Sequence, residues 1–292
     1  MKVLITGAGG QLGRALLASA PAHITVQSVS HQQLDIADAA AVDSMLQDFL
    51  PAVIINAAAF TRVDDAEAKP EAAARANATG PAVLAAACRS RGVRLTHVST
   101  DYVFDGEQSR PYAPDAPPNP LNVYGKTKLE GELAVTRALS AHSTVVRTSW
   151  VYAANGRNFF TTMLNLMRSR SRLTVVCDQI GAPTSAAGLA PVLWALSLSE
   201  LSGTYNWCDS GVASWYDFAV AIAEDAVALG VLASMPEVLP IASVDYPTAA
   251  CRPPYTLLDK RDTERLLGVT APHWRSALRE ALREVVSTGG LP

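Results

Sequence analysis

The sequence predicts an α/β protein built on a doubly wound parallel sheet and followed by a smaller C-terminal lobe. Three observations carry that expectation. Short apolar runs alternate with helical patterns over the first 150 residues, the opening run closes on a glycine cluster, and the regular alternation weakens after about residue 151. Strands joined by helices of this length run parallel, because right-handed crossovers lay each helix against a face of the sheet.

Residues 2–6 are an apolar run that meets glycine, after which Leu12, Leu16 and Leu17 recur at helical spacing: strand, tight turn, helix. A β-rich run at 24–29 precedes the helical pattern of Val42, Met45, Leu46 and Phe49, and Pro51 stands before a strand at 53–59. The Ala-rich stretch 71–90 reads as a helix, 94–100 as a strand, 124–139 as a helix and 144–150 as a strand. Beyond it, strand-like pieces at 173–176, 205–208 and 238–241 mix with helices at 215–229 and 274–286. Residues 105–122 hold Pro111, Pro114, Pro117, Pro118 and Pro120 and are too long for an ordinary connection, so they are a candidate active-site loop.

Composition narrows the functional classes. Hydrophobic residues make up 49% of the 292, enough to fill a substantial core. With 24 basic and 27 acidic residues and no long single-sign run, nothing resembles an electrostatic footprint for nucleic acid. Cys88, Cys177, Cys208 and Cys251 lie far apart without metal-ligand spacing, which argues against a zinc site and a disulfide framework. The N-terminal apolar run reaches Gly7 far short of a signal segment or the ~20 residues of a membrane span, so a cytoplasmic protein with no membrane partner is expected.

The turn 6–13 closes the first strand and opens the first helix, where backbone amides and the helix N-terminus can face a pyrophosphate. Glycines at 7, 10 and 13 suit a tight turn, a close approach to a cofactor and close helix-on-strand packing, as in a Rossmann-type dinucleotide site. Residues 1–150 are therefore expected to form the dinucleotide-binding domain. Residues 151–292 would be mainly a substrate-binding lobe, with some chain returning to the main domain. Near the end of the second strand, Ser30 and His31 stand where a ribose-binding acid would repel a 2'-phosphate, which favours NADPH and leaves NADH open. His31 is equally readable as an exposed loop residue.

Tyr124 and Lys128 stand at i and i+4, hence on one helical face. A lysine cation held near a phenol favours the phenolate and brings its pKa towards the working range. Such a pair alone is usually a solvated surface feature, but the strand before it ends in Ser99, Thr100 and Asp101 at the carboxyl edge of the sheet, where ligands bind in open α/β folds. A hydroxyl there can hydrogen-bond a substrate carbonyl. Asn56, Ala57, Ala58 and Ala59 reach the same edge, and their small side chains would let backbone sit against a nicotinamide ribose.

Taken together, the glycine turn, Asn56-Ala57-Ala58-Ala59, the run 99–104, Tyr124 to Lys128 and the run 147–152 resemble the extended short-chain dehydrogenase/reductase superfamily. More closely they are similar to its dTDP-4-dehydrorhamnose reductase family. The likeness continues through 178–184 and Arg252-Pro253. The resemblance implies reduction of the 4-keto group of a dTDP-linked deoxyhexose to dTDP-L-rhamnose, supplying cell-surface polysaccharide. Tyr124 would protonate the oxygen, Lys128 would orient the ribose and tune Tyr124, and Thr100 would hold the carbonyl oxygen. Asp101, Trp150, Gln179 and Arg252 would contact the substrate, Arg252 at its diphosphate. The cofactor is expected to touch Gly7, Gly10, Gln11, Leu12, Gly13, Ser30, His31, Asp35, Ile36, Ala57, Ala58, Ala59 and Thr61, as well as Tyr124 and Lys128.

Metal-bridged dimers are described in that family, but Arg14 and Ala15 offer no carboxylate, so no metal is expected and a homodimer stays open. Two other readings remain: a nucleotide-sugar epimerase or dehydratase, and a non-catalytic dinucleotide-binding subunit similar to the methionine adenosyltransferase β-subunit. A dehydratase commonly carries an acid after Thr-Asp, where this chain has Tyr102.

Overall fold

The computed structural model describes residues 1–289. Its first part runs β1 (Lys2–Thr6), α1 (Gln11–Ala18), β2 (Thr25–Val29), α2 (Ala39–Phe49), β3 (Val53–Asn56), α3 (Val63–Ala68), α4 (Pro70–Ala74), a π-helical turn (Arg75–Thr79), α5 (Gly80–Arg91), β4 (Arg94–Thr100), α6 (Val123–Leu139) and β5 (Ser143–Thr148). The second part runs β6 (Val151–Tyr152), α7 (Phe159–Ser169), β7 (Arg172–Val176), β8 (Ile180–Gly181), β9 (Thr184–Ser185), α8 (Ala186–Leu198), β10 (Gly203–Asn206), β11 (Ala213–Ser214), α9 (Trp215–Ala228), β12 (Glu237–Ile241), α10 (Arg261–Leu267) and α11 (Trp274–Ser287).

Six strands form one parallel sheet in the order β10-β5-β4-β3-β1-β2. The order reverses direction between β1 and β3, so the loops after β1 and β3 open onto the crevice where ligands bind in such sheets, with the end of β4 next to them. On one face, Leu12 and Leu16 of α1 and Leu189, Leu193 and Trp194 of α8 pack against Val3, Ile5, Val53 and Ile55. On the other, Val42, Leu46, Leu84, Cys88 and Val135 from α2, α5 and α6 cover Leu4, Ile54, Leu95 and Val145. A separate core, centred on Phe160, Leu164, Phe218, Ile222 and Leu282, holds α7, α9 and α11 together.

Several elements differ from the periodicity. The strand expected over 53–59 ends at Asn56, because the three alanines carry no β-branched preference and the backbone leaves the sheet there. The helix expected over 71–90 is two α-helices joined by the π turn. α8 is missing from the periodic reading altogether: it is apolar on all sides, carries Pro191 in its interior, and packs beside α1 against the sheet. The strand anticipated at 205–208 is β10, which adds to the main sheet beside β5.

Candidate active site

The glycine turn is shaped by the protein's contact with itself. Gly7 has φ +76°, and a Cβ there would lie 2.6 Å from the Ala57–Ala58 peptide. At Gly13 a Cβ would lie 2.3 Å from the Gly7 carbonyl oxygen, so α1 docks on the turn only without a side chain. Gly10 itself is exposed, so the turn is accessible there, although a Cβ would still crowd the Gly7 carbonyl at 3.3 Å. Gly10 caps α1 with no side-chain hydrogen bond, and the first-turn amides fit the oxygens of a pyrophosphate.

The neighbouring side chains are committed elsewhere. Gln11 donates to the Val151 carbonyl (2.8 Å) and accepts from Asn158 (3.1 Å), and Leu12 is buried in the core, so both have only backbone to offer a cofactor. Ile36 is likewise buried, in contact range of Gly80, rather than presented to a ligand. Ser30 binds Gln33, His31 and Thr61 are exposed, and Asp35 is paired with Arg75 at 2.7 Å. The Ala37 amide and the Arg75 guanidinium hold the Asp35 carboxyl below its usual range. Ala57, Ala58 and Ala59 are half-buried along the path leading out of β3.

The start of α6 is fixed from three directions. Asn122 caps it through Gly125 N–H (2.8 Å) and donates to the Cys251 carbonyl (2.8 Å), while Glu67 accepts from Val123 N–H (2.8 Å). A Cβ at Gly125 would lie 2.1 Å from the Tyr102 carbonyl, and one at Gly131 would lie 2.1 Å from the Asn77 carbonyl. Two glycines therefore let α6 sit directly on the segments it organises. Asn77, in the π turn and fully buried, returns the contact by bonding Phe60 N–H (2.8 Å), Phe60 C=O (3.1 Å) and Thr127 (3.2 Å).

On this helix Tyr124 is 9% exposed, with Tyr102 meeting it edge-on at 5.8 Å. The expected lowering of its pKa does not occur. Burial pushes the phenol up to about 12, the Thr100 hydroxyl beside it acts the other way, and Asp101 adds to the rise. Lys128 is buried too, donating to the Val98 carbonyl at 2.6 Å, and burial brings its ammonium down to about 8. Loss of water around both groups outweighs the neighbouring charge.

Thr100 donates to Asp101 Oδ1 (3.0 Å) and accepts from Tyr102 N–H (3.2 Å). Asp101 is only 2% exposed, and its Oδ2 accepts from Thr256 at 2.6 Å. It lies beneath Thr100 rather than in the cleft, and burial raises its carboxyl to about 6. Arg252 is no free cation: it grips Asp64 at 2.6 and 3.0 Å, which raises the guanidinium and lowers the carboxyl.

Trp150 follows β5 with φ +47°, in the left-handed region that a bulky residue adopts only under constraint. The constraint is visible on both faces of its ring. Trp215, the first residue of α9, stacks on it at 3.6 Å and 7°. A Cβ at Gly181 would lie 2.8 Å from Cε2 and 3.0 Å from both Cζ2 and Nε1, which puts Gly181 over the ring on its other side. Gln179 accepts from Trp215 Nε1 (3.2 Å) and donates to Ser243 (2.9 Å), so it holds the stack in place.

The loop 105–122 is anchored along its length. Tyr112 is buried, donates its hydroxyl proton to Asp105 (2.8 Å) and pairs its backbone with Leu257 and Asp259, while Asn119 N–H bonds the Val103 carbonyl. A groove of about 830 Å³ lies between this loop, at Gln108, Arg110, Ala113 and Pro117, and the segment of Leu257, Lys260 and Glu264, and Tyr124 does not line it. Among the described residues no cluster of three or more His, Cys, Asp or Glu side chains is arranged to hold a metal.

Residues 1–287 match the family described as RmlD substrate binding domain. The dTDP-4-dehydrorhamnose reductase of Aggregatibacter actinomycetemcomitans is 42% identical over 286 residues, covering 95% of this chain and 97% of that protein. The dTDP-4-keto-6-deoxy-D-glucose reductase of Streptomyces niveus is 40% identical over 281 residues, 95% of each chain. A solved structure of dTDP-4-dehydrorhamnose reductase from Bacillus anthracis in complex with NADP superposes with a TM-score of 0.90 at 35% identity, covering 97% of this chain and 99% of that one.

Proposed function

The chain belongs to the RmlD substrate binding domain family, and from that premise we propose that it reduces the 4-keto group of dTDP-4-dehydro-L-rhamnose to dTDP-L-rhamnose. NADPH is the preferred reductant and NADH the second choice, and the product supplies cell-surface polysaccharide. The observation that carries the reading is the meeting of Tyr124 and Thr100 at the carboxyl edge of β4, beside a glycine turn fit for a pyrophosphate.

A reduced nicotinamide dinucleotide held by its pyrophosphate at that turn would supply the hydride. The chain's own residues do the rest. The Thr100 hydroxyl is placed to hold the carbonyl oxygen, and Tyr124 gives that oxygen a proton as negative charge develops on it. A phenol at about 12 is fully protonated at neutral pH, which is the state a proton donor needs in the reducing direction. Lys128, charged below about 8, would hold the ribose hydroxyls and keeps a positive potential at the site. Asp101 orients Thr100 from behind, with Thr256 holding its second oxygen. The Trp150 and Trp215 stack walls the sugar side, and Arg252, neutralised by Asp64, shapes the wall rather than binding diphosphate by charge.

No helix among the described residues is long and apolar enough to cross a membrane. The substrate is a soluble nucleotide sugar, and we place the reaction in the cytoplasm.

The test is NADPH oxidation followed spectrophotometrically with dTDP-4-dehydro-L-rhamnose, dTDP-4-keto-6-deoxy-D-glucose, and UDP- and GDP-linked 4-keto sugars. Stoichiometric NADPH loss with the rhamnose precursor at the highest kcat/KM is expected. Turnover without net NADPH loss would indicate an epimerase or dehydratase, and no turnover with any sugar would indicate a binding subunit.

A further inference from the structure

His97 sits in the middle of β4, fully buried, and the chemistry above makes no use of it. Its surroundings determine where its proton lies. Asn56 Oδ1 accepts from the Ala58 backbone N–H (3.1 Å) and from the Thr6 hydroxyl (2.6 Å). A backbone N–H can only donate, so that end of the amide is the oxygen, and the atom 3.0 Å from His97 Nδ1 is Nδ2. An amide NH2 has only protons to offer, which makes Nδ1 the unprotonated acceptor. Burial and the nearby Lys128 charge keep the ring neutral, its pKa held well below the usual value. Its single ring proton is therefore on Nε2, and Nε2 lies 3.5 Å from Lys128 Nζ. A donor faces a donor.

We propose that Thr6, Asn56 and His97 form a tautomer lock, with His97 a positioning residue that turns a proton, rather than a lone pair, towards Lys128. The ammonium is thereby denied a second acceptor on the sheet beside the Val98 carbonyl. Its protons are left to the Val98 carbonyl, 2.6 Å away, and to the cleft. The other ionisable groups around it are Tyr124 one turn earlier on α6, Asp101 beyond Tyr124, and Glu132 one turn later. Only Glu132 among these favours the charged lysine, and Arg147 of β5 grips that carboxylate at 2.7 Å. Holding Lys128 loosely serves a residue that must exchange hydrogen bonds with an incoming ribose. That last step rests on the reductase reading, whereas the lock itself does not.

The tautomer is read directly by long-range 1H–15N correlation on the 15N-histidine-labelled full chain, with no substrate present. A neutral His97 protonated at Nε2 is expected, and a ring protonated at Nδ1 or at both nitrogens overturns the proposal. Asn56→Asp is nearly isosteric and puts an oxygen in place of Nδ2. It should move the ring proton to Nδ1, turn the Nε2 lone pair to Lys128, and raise the Lys128 pKa in a 13C-lysine titration by about one unit or more. The alkaline limb of kcat/KM should rise with it. A higher Lys128 pKa without a reversed tautomer would assign the effect to the added charge and overturn the lock, as would a reversed tautomer that leaves Lys128 unmoved. If that variant does not fold, His97→Gln can accept from Asn56 through Oε1 and still point an NH2 at Lys128. It should keep the wild-type lysine titration, and a rise of a full unit there overturns the lock as well.

Discussion

Trp215 covers one face of the Trp150 indole at 3.6 Å, and Gly181 closes on the other. Only the ring edge of Trp150 is left for a ligand, so its part in recognition depends on being held in place. Trp215→Ala should raise KM for the sugar nucleotide about tenfold while kcat changes less than about threefold, because a stacked aromatic partner is worth about 0.5–1.5 kcal/mol. Trp215→Phe should recover most of the loss. Steady-state kinetics on the two variants checks this, and a kcat defect with unchanged KM would remove Trp215 from the sugar side.

Tyr124→Phe removes the proton while keeping the ring that packs against Tyr102. A fall in kcat of about 100-fold or more is expected, with the Kd for NADPH within a factor of about three. Fluorescence titration of the cofactor separates the two effects, and near-normal turnover would exclude the phenol as donor.

The alkaline limb of kcat/KM should be set by Lys128. Its folded value lies near 8, lowered by burial, so the ammonium is lost as pH rises through about 8. Tyr124, at about 12, keeps its proton throughout that range. A profile from pH 6 to 10 should therefore fall above about 8, and activity level up to pH 10 would show that the lysine charge is not required.

Asp209 is fully buried, its Oδ2 taken by Ser185 N–H (3.0 Å) and its Oδ1 without a protein partner among the described residues. Burial raises its carboxyl from 3.8 to about 7. The native state thus binds a proton that the unfolded state has released, and this group's stabilising contribution is present below about pH 4 and lost as pH rises through about 7. Asp209→Asn should be neutral near pH 4 and stabilising at pH 8, on the order of 2 to 4 kcal/mol at most. Denaturant unfolding at both values measures it, and equal effects at the two would rule out titration of Asp209.

The sheet and the catalytic helix were legible because their residues repeat at one period or the other: β1, β4 and α6 fall within a residue of where the pattern puts them. α8 left no such trace, since its exposed stripe of Ala187, Pro191 and Ala195 is as apolar as its buried side and sets no rhythm, and Pro191 argues against a helix locally. Asn77 was hidden in an Ala-rich run, although a lone amide amid alanines on a helix about to be buried was a signal. His97 and Trp215 could not be read at all. Their meaning comes from Asn56, 41 residues earlier, and from Trp150, at the end of β5, neither of which is set by spacing along the chain.

The return of α8 and β10 to the main sheet bears on how the molecule comes apart. The chain leaves the parallel sheet near residue 150, comes back at Ala186, and departs again after Asn206. A fragment ending at 150 would present β5 as a bare sheet edge and leave Val3, Ile5, Val53 and Ile55 without the cover of α8. Neither half can then be shed as an intact body. The two cores should melt in one cooperative transition, and a protease cut between them should leave a nicked molecule whose pieces stay together until both unfold.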